Sequence, residues 1–285
     1  MKVIYWSSDK ARERAVAREF VRGVKACGDK GEIQSRSSLA LTGYDVAVVS
    51  GVKSMAIWRQ LMDAKIPSVF VDQGYFKDQK YHRVAVNAHH PTWYLEKAKH
   101  DSSRWNDFRI NTKPWRESGQ HIVIAGGSEK YHQFYGLLHP TKYTKNLVNE
   151  IRARTDRPII YRPKPSWSKA TPIEGTIYST RKSQDYPNLF DTLRKAHCLI
   201  THGSNSCFEA MIYGVPSIVL GDGIARPISS ISLDEIENPK LAGDAARKQL
   251  LSNLAWCQFS WGELATGVAW KHLRNVIDAD RLLRL

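Results

Sequence analysis

LITHGSNSCFEAMIYGVPSIVLGD, from Leu199 to Asp222, decides the fold. Its apolar start, Leu199 to Thr201, has the character of a strand buried on both faces, as in parallel sheets. It leads without a linker into His202-Gly203-Ser204-Asn205-Ser206 and then into a helix expected over Phe208–Tyr213. Gly203 lets the backbone turn and approach a ligand closely. Ser204, Asn205 and Ser206 are residue types that cap helices. A helix start offers N–H groups and a partial positive charge, a setting suited to phosphate. Glu209 lies one turn into the helix, within reach of a ribose diol. Gly214-Val215-Pro216 ends the helix and launches a second strand, Ser217–Leu220. A Gly/Ser loop alone would suit any strand–turn–helix of an α/β domain. The His before it and the Glu inside the helix favour nucleotide binding, above all a nucleotide-sugar.

Upstream, IIYRPKP (Ile159 to Pro165) reads as a strand with a rigid exit. Arg162 and Lys164 stand two apart, so they are expected to point the same way and neutralise a diphosphate. Surface charges on a proline-rich turn are the plainer alternative. Further strands are expected at 121–125 (HIVIA), 158–161 and 177–179, with helices over 145–155 and 188–196. The first half follows the same scheme. Strand VIYW (3–6) precedes a helix capped by Asp9 and ending near Cys27. Strands near Ile33, at YDVAVVS (44–50), PSVFV (67–71) and RVAVN (83–87) follow, with a helix over 54–64. Residues 90–119 are irregular, polar and rich in Trp, and read as a long loop or linker. Residues 241–277 read as helical. The expected fold class is α/β, with two Rossmann-like domains facing a central cleft at their strand ends.

The chain has 285 residues, 42% hydrophobic and 25% charged, which suits two globular domains. No apolar run approaches the ~20 residues of a membrane span, and the start MKVIYWSSDKARER lacks the apolar core of a signal peptide. The four cysteines (Cys27, Cys198, Cys207, Cys257) show no metal spacing. A reducing cytoplasm is expected. Lys plus Arg outnumber Asp plus Glu by 42 to 28, a net charge of +14 that favours a polyanionic partner. Trp58-Arg59, Lys80-Tyr81, Arg104-Trp105, Lys113-Pro114-Trp115-Arg116 and Trp270-Lys271 interleave rings with cations, a pattern suited to stacking on bases or sugars. Core packing is the alternative for each ring taken singly.

THGSNSCFEAMIYGVPSIVLGD, preceded by the RPKP strand, resembles the donor half of GT-B glycosyltransferases, nearest to capsule-polysaccharide-type and phage-encoded DNA-modifying members. DQGYF (72–76), RVAVN (83–87) and NLAWCQFSWGELATGVAW (253–270) are similar to phage glycosyltransferase-like proteins. The resemblance implies an acceptor half (1–115), a donor half (116–255) and C-terminal helices (256–285) that cross back to the first domain. It implies that Ser204, Ser206 and the helix start hold the diphosphate and that Glu209 holds the ribose. His202, Gly203, Asn205, Arg162 and Lys164 complete the expected donor set. The widely spaced second Glu of the common retaining pattern is absent, so the anomeric outcome stays open.

Sugar transfer to a hydroxyl needs a stabilised leaving group and, for inversion, a base. Cations and a helix dipole would serve the first need without a metal or cofactor, the nucleotide-diphosphate-sugar (such as a UDP-sugar) being a co-substrate. Asp72, directly after PSVFV, is the first candidate base; His89 and His90, after RVAVN, are the second. For Asp72, a turn carboxylate capping its neighbours is an equal alternative. Ser50, Gly51, Gln73 and Tyr75 are the expected acceptor contacts. Charge and resemblance point to double-stranded DNA bearing 5-hydroxymethyl-pyrimidines, with no membrane partner and the oligomeric state open. A capsule or lipopolysaccharide acceptor is one alternative. A non-catalytic nucleotide- or DNA-binding protein of the same fold is another.

Overall fold

The computed structural model describes residues 1–38, 40–51, 55–76, 80–179 and 188–283. The chain begins with β1 (Lys2–Ser7), α1 (Ala11–Ala26), β2 (Lys30–Ser35), β3 (Val46–Ser50), α2 (Met55–Asp63), β4 (Ser68–Gln73) and β5 (Tyr81–Val86). It continues through α3 (Thr92–Lys97), α4 (Ser103–Asp107), β6 (His121–Ala125), α5 (Glu129–Phe134), α6 (Pro140–Arg152), β7 (Ile159–Arg162) and β8 (Ile177–Tyr178). Then come α7 (Leu189–Leu193), β9 (Ala196–Thr201), α8 (Ser206–Ile212), β10 (Ser217–Val219) and α9 (Asp244–Ala255). It closes with β11 (Gln258–Ser260), α10 (Trp261–Thr266) and α11 (Val268–Leu283). Two compact units result: Met1–Pro91 with Ala255–Leu285, and Thr92–Leu254.

In the first unit the sheet order is β11-β5-β4-β3-β1-β2. β2, β1, β3 and β4 are parallel; β1, β3 and β4 carry near-continuous apolar runs buried on both faces, while the edge strand β2 is largely exposed. The chain goes from β1 to β2 on one side and returns to β3 on the other, so the order reverses between β1 and β3. β5 and β11 run antiparallel to their neighbours, unlike a wholly parallel doubly wound sheet. β11 also interrupts the tail that periodicity assigned to helix alone. Its Phe259 is fully buried, and Gln258 Oε1 accepts from the Tyr75 amide at 2.9 Å. Helix α1 buries Val16, Ala17, Phe20, Val21 and Val24. Its N-cap is Lys10, not Asp9, whose carboxylate pairs with Arg14 instead. α10 and α11 return onto α1. A Cβ at Gly23 would collide with the Leu264 carbonyl, and the Phe20 and Trp270 rings meet edge-on at 6.1 Å. Ser54, the expected start of α2, lies outside the described residues.

In the second unit all five strands are parallel, in the order β10-β9-β6-β7-β8. Ile122, Ile124, Ile159, Tyr161, Cys198 and Ile200 from the strands meet Leu147, Val148 and Ile151 of α6 in one core. α6 starts at Pro140, earlier than the expected 145, because proline is favoured in a first turn. Residues 92–115, assigned from sequence to the first half as an irregular stretch, carry α3 and α4 and belong to this unit. They are held by backbone bonds, Lys113 N to Ile212 O at 2.8 Å among them, and by buried Trp105 and Phe108. The expected stacking platform is corrected here too. Trp58, Trp105 and Trp270 are 6% exposed or less, and Trp115 Nε1 donates to the Ala242 carbonyl under the Arg247 guanidinium.

Candidate functional site

The sheet order of the second unit reverses between β6 and β9, which is where ligands bind in open α/β sheets, beyond the carboxyl ends of the strands. The loop after β9 is His202-Gly203-Ser204-Asn205; the loop after β6 is Gly126-Gly127-Ser128. Thr201, the last residue of β9, organises the first loop. Its Oγ1 donates to Ala125 O at 3.0 Å and accepts from the amides of Ser204 (2.9 Å) and Gly203 (3.3 Å). Ser204 Oγ accepts from the Ser206 amide at 3.3 Å and lies 3.1 Å from Ser206 Oγ. The two hydroxyls expected to meet a phosphate are thus adjacent at the start of α8. No side chain of Asn205, the N-cap residue, caps that helix. Gly203 is required by space. A Cβ there would lie 2.5 Å from the Tyr131 hydroxyl and closer still to the Asp222 carbonyl. Glu209 sits one turn into α8, partly exposed.

His202 is ringed by Tyr131, Tyr135 and Tyr143, with ring centroids at 5.9, 5.2 and 6.1 Å. Tyr131 Oη lies 3.1 Å from its Nδ1. Burial, then His132 and Arg226, push its pKa down to about 4. It therefore brings a neutral hydrogen-bonding ring to the loop, not a charge. Arg162 and Lys164 do not share surroundings. β7 ends at Arg162, and Pro163 breaks the alternation that was to align them. The Arg162 guanidinium is buried and donates to Ser179 Oγ (3.1 Å) and Thr192 Oγ1 (2.9 Å), whereas Lys164 is exposed. Sequence reasoning missed Thr201 and the Gly126-Gly127-Ser128 loop. The signal for the latter was a glycine pair and a Ser cap directly after the HIVIA strand, where Ser128 Oγ accepts from the Tyr131 amide.

In the first unit Ser50, Gly51, Asp72 and Gln73 line one pocket of about 240 Å³, with Lys10, Arg12, Glu13 and His82. The pocket lies at the carboxyl ends of β3 and β4 beside the first turn of α1, the helix that leaves β1. Tyr75, His89 and His90 are instead gathered by Arg83, a residue the sequence did not single out. Arg83 is 4% exposed, and its Nη2 lies 2.9 Å from His89 Nε2 and 3.5 Å from Asp72 Oδ2. Its Nη1 lies 3.3 Å from His90 Nδ1 and donates to the His89 carbonyl at 3.0 Å and to Tyr75 Oη at 3.4 Å. A guanidinium only donates, so both imidazole nitrogens facing it accept and both rings are neutral. The lone pairs that a histidine base would use are committed to Arg83. Asp72, its side chain 35% exposed, keeps a face to the pocket, and its Oδ1 accepts from the Gln73 amide. His82 is 3% exposed, and burial, then Arg12, push its pKa down to about 4.

Among the described residues no group of three or more His, Cys, Asp or Glu side chains could hold a metal ion, and no helix is long and apolar enough to cross a membrane. Asp278 and Asp280, two aspartates two positions apart that the sequence reading passed over, lie within α11; Asp280 is buried and accepts from Asn87 Nδ2 at 2.6 Å.

No protein-family model matches the sequence, and no curated protein matches it. Solved structures do. The Thermosulfurimonas dismutans KpsC beta Kdo 2,7 transferase is 15% identical, with 96% of this chain and 99% of that chain aligned at a TM-score of 0.52. The chain shares its fold. That fold is the GT-B type, two α/β units with a C-terminal segment that rejoins the first. The kitacinnamycin glycotransferase and the spinosyn rhamnosyltransferase SpnG, each 12% identical, align over 98% of the chain at TM-scores of 0.31.

Proposed function

We propose that the protein is a glycosyltransferase that moves a sugar from a nucleotide-sugar to a hydroxyl. The observation that carries this reading is the position of the Gly203-Ser204-Asn205-Ser206 loop at the reversal of strand order in the second unit, with a glycine that nothing larger could replace. Ser204, Ser206 and the start of α8 hold the phosphate, and Glu209 holds the ribose. Lys164, exposed beyond β7, supplies charge to the same end of the sheet, while Arg162 stiffens the strand from inside. Sharing a fold with a Kdo transferase supports sugar transfer as the chemistry.

The first unit receives the acceptor in the pocket of Ser50, Gly51, Asp72 and Gln73. Asp72 takes the acceptor proton as the hydroxyl attacks the anomeric carbon and the nucleotide leaves with the bonding pair. Hydroxymethylated DNA is the acceptor to test first, on the +14 charge, since the tryptophans no longer argue for it. A capsule-type sugar acceptor is the second, on the KpsC fold. The test is incubation with a panel of nucleotide-sugars and either acceptor, followed by mass analysis. A sugar mass gained by one acceptor supports the proposal. Consumption of none of the donors refutes it.

A further inference from the structure

The pocket of the first unit carries more chemistry than a lone acceptor hydroxyl requires. Its 240 Å³ falls below the ~300–1,000 Å³ usual for drug-sized ligands, so it holds a single ring and its substituent. One wall is the start of α1, a helix of 16 residues whose N-cap, Lys10, makes no side-chain capping bond. The first-turn N–H groups of such a helix lack intrahelical partners and present partial positive charge. Arg12 stands in that turn, lines the pocket, and forms no ion pair with any described residue. Both carboxylates of the pocket are already compensated, Glu13 by Arg36 and Asp72 by Arg83. The helix start and Arg12 therefore leave the pocket biased towards an anion. On the strand side lies His82, only 3% exposed, whose Nε2 has no hydrogen-bond partner among the described residues. A buried polar nitrogen left unsatisfied is uncommon and marks a place where a ligand group can bond.

We propose that this pocket takes an acidic acceptor ring: its single anionic group lies on the first turn of α1 and Arg12, and a polar group of the ring bonds His82 Nε2, beside Asp72. This deepens the acceptor reading and rests on it. The anion is a phosphate or carboxylate, supplied either by a nucleotide unit or by an acidic sugar.

Titration calorimetry on the whole chain tests it, with glucose 6-phosphate against glucose and hydroxymethyl-deoxycytidine monophosphate against its nucleoside. At least one charged probe should bind about tenfold or more tightly than its neutral counterpart, as one charge-assisted contact provides. Arg12→Gln, at an exposed position, should erase that preference without weakening the neutral probe. His82→Phe should weaken the preferred charged probe and its neutral counterpart alike. Which charged probe wins tells nucleotide from sugar. Equal binding of charged and neutral probes, no binding of any probe, or an undiminished preference in Arg12→Gln would overturn the proposal. Nucleotide-sugar binding on the same samples reports on the second unit alone. If it is absent while the charged preference stands, the transferase reading fails and the acidic-ring site survives.

Discussion

Gly203→Ala probes the loop after β9 with one methyl group. The added carbon would lie 2.5 Å from the Tyr131 hydroxyl and still nearer the Asp222 carbonyl oxygen. Comfortable carbon contacts lie at about 3.5–4.0 Å, so an atom on one side must move by about 1 Å or more. Neither neighbour yields easily. Tyr131 is 9% exposed and is engaged with His202, and Asp222 is tied to Thr92. Overpacking of this kind costs about 1–3 kcal/mol, and a clash with backbone belongs at the upper end. Urea unfolding should therefore show a loss of about 3 kcal/mol, a midpoint shift of about 1 M at a slope of about 3 kcal/mol/M. Because the loop itself must shift, nucleotide-sugar affinity should fall at least about tenfold. Gly243→Ala is the control. Nothing lies within 4 Å of a Cβ there, and surface changes of this sort stay within about 0.5 kcal/mol. Gly203→Ala with the midpoint and affinity of the wild type would refute the argument that the glycine is fixed by space at a ligand site.

Arg83→Met should destabilise the first unit by about 3 kcal/mol, since it strands the acceptor nitrogens of His89 and His90 and unpairs Asp72; a urea midpoint equal to wild type would contradict its role as hub. His82 gives a pH signature. Its folded pKa of about 4 lies below the ordinary value near 6.5, so the unfolded chain binds a proton that the fold refuses. The stability from His82 is full above about pH 6.5 and falls as pH drops towards about 4, by at most roughly 3 kcal/mol. Stability measured across that window should lose about one proton of its pH slope in His82→Gln, with His202 contributing the same direction in both proteins; identical slopes would show that His82 titrates normally.

The second sheet was legible because CLIT (198–201), SIV (217–219) and HIVIA (121–125) are buried parallel strands, whose apolar runs have few other structural solutions. Gly203 and the Ser pair were legible because turn and cap chemistry is local. What failed was side-chain contact set by the tertiary fold. Arg162 looked like an exposed clamp because sequence gives its spacing from Lys164 but not the Ser179 and Thr192 hydroxyls that draw it inside. His89 and His90 looked like bases because the sequence does not show that the side chain of Arg83, six and seven residues back in the strand they follow, turns to occupy their lone pairs. β11 was hidden in a helical tail because a three-residue edge strand carries too little periodicity to compete. Arg12 and His82, which complete the pocket of the first unit, come from a helix start and an antiparallel strand, and only the fold brings them to Asp72.

The most direct measurement is transfer itself, made with wild type and Asp72→Asn side by side. Each is incubated with a nucleotide-sugar panel and with hydroxymethylated DNA or an acidic glycan, and donor binding and acceptor mass are both followed. Wild type should bind a nucleotide-sugar and add its sugar to one acceptor, while Asp72→Asn should bind the donor as tightly and transfer at least about a hundredfold more slowly. A protein that binds no nucleotide-sugar, or an Asp72→Asn variant that transfers at the wild-type rate, would contradict it.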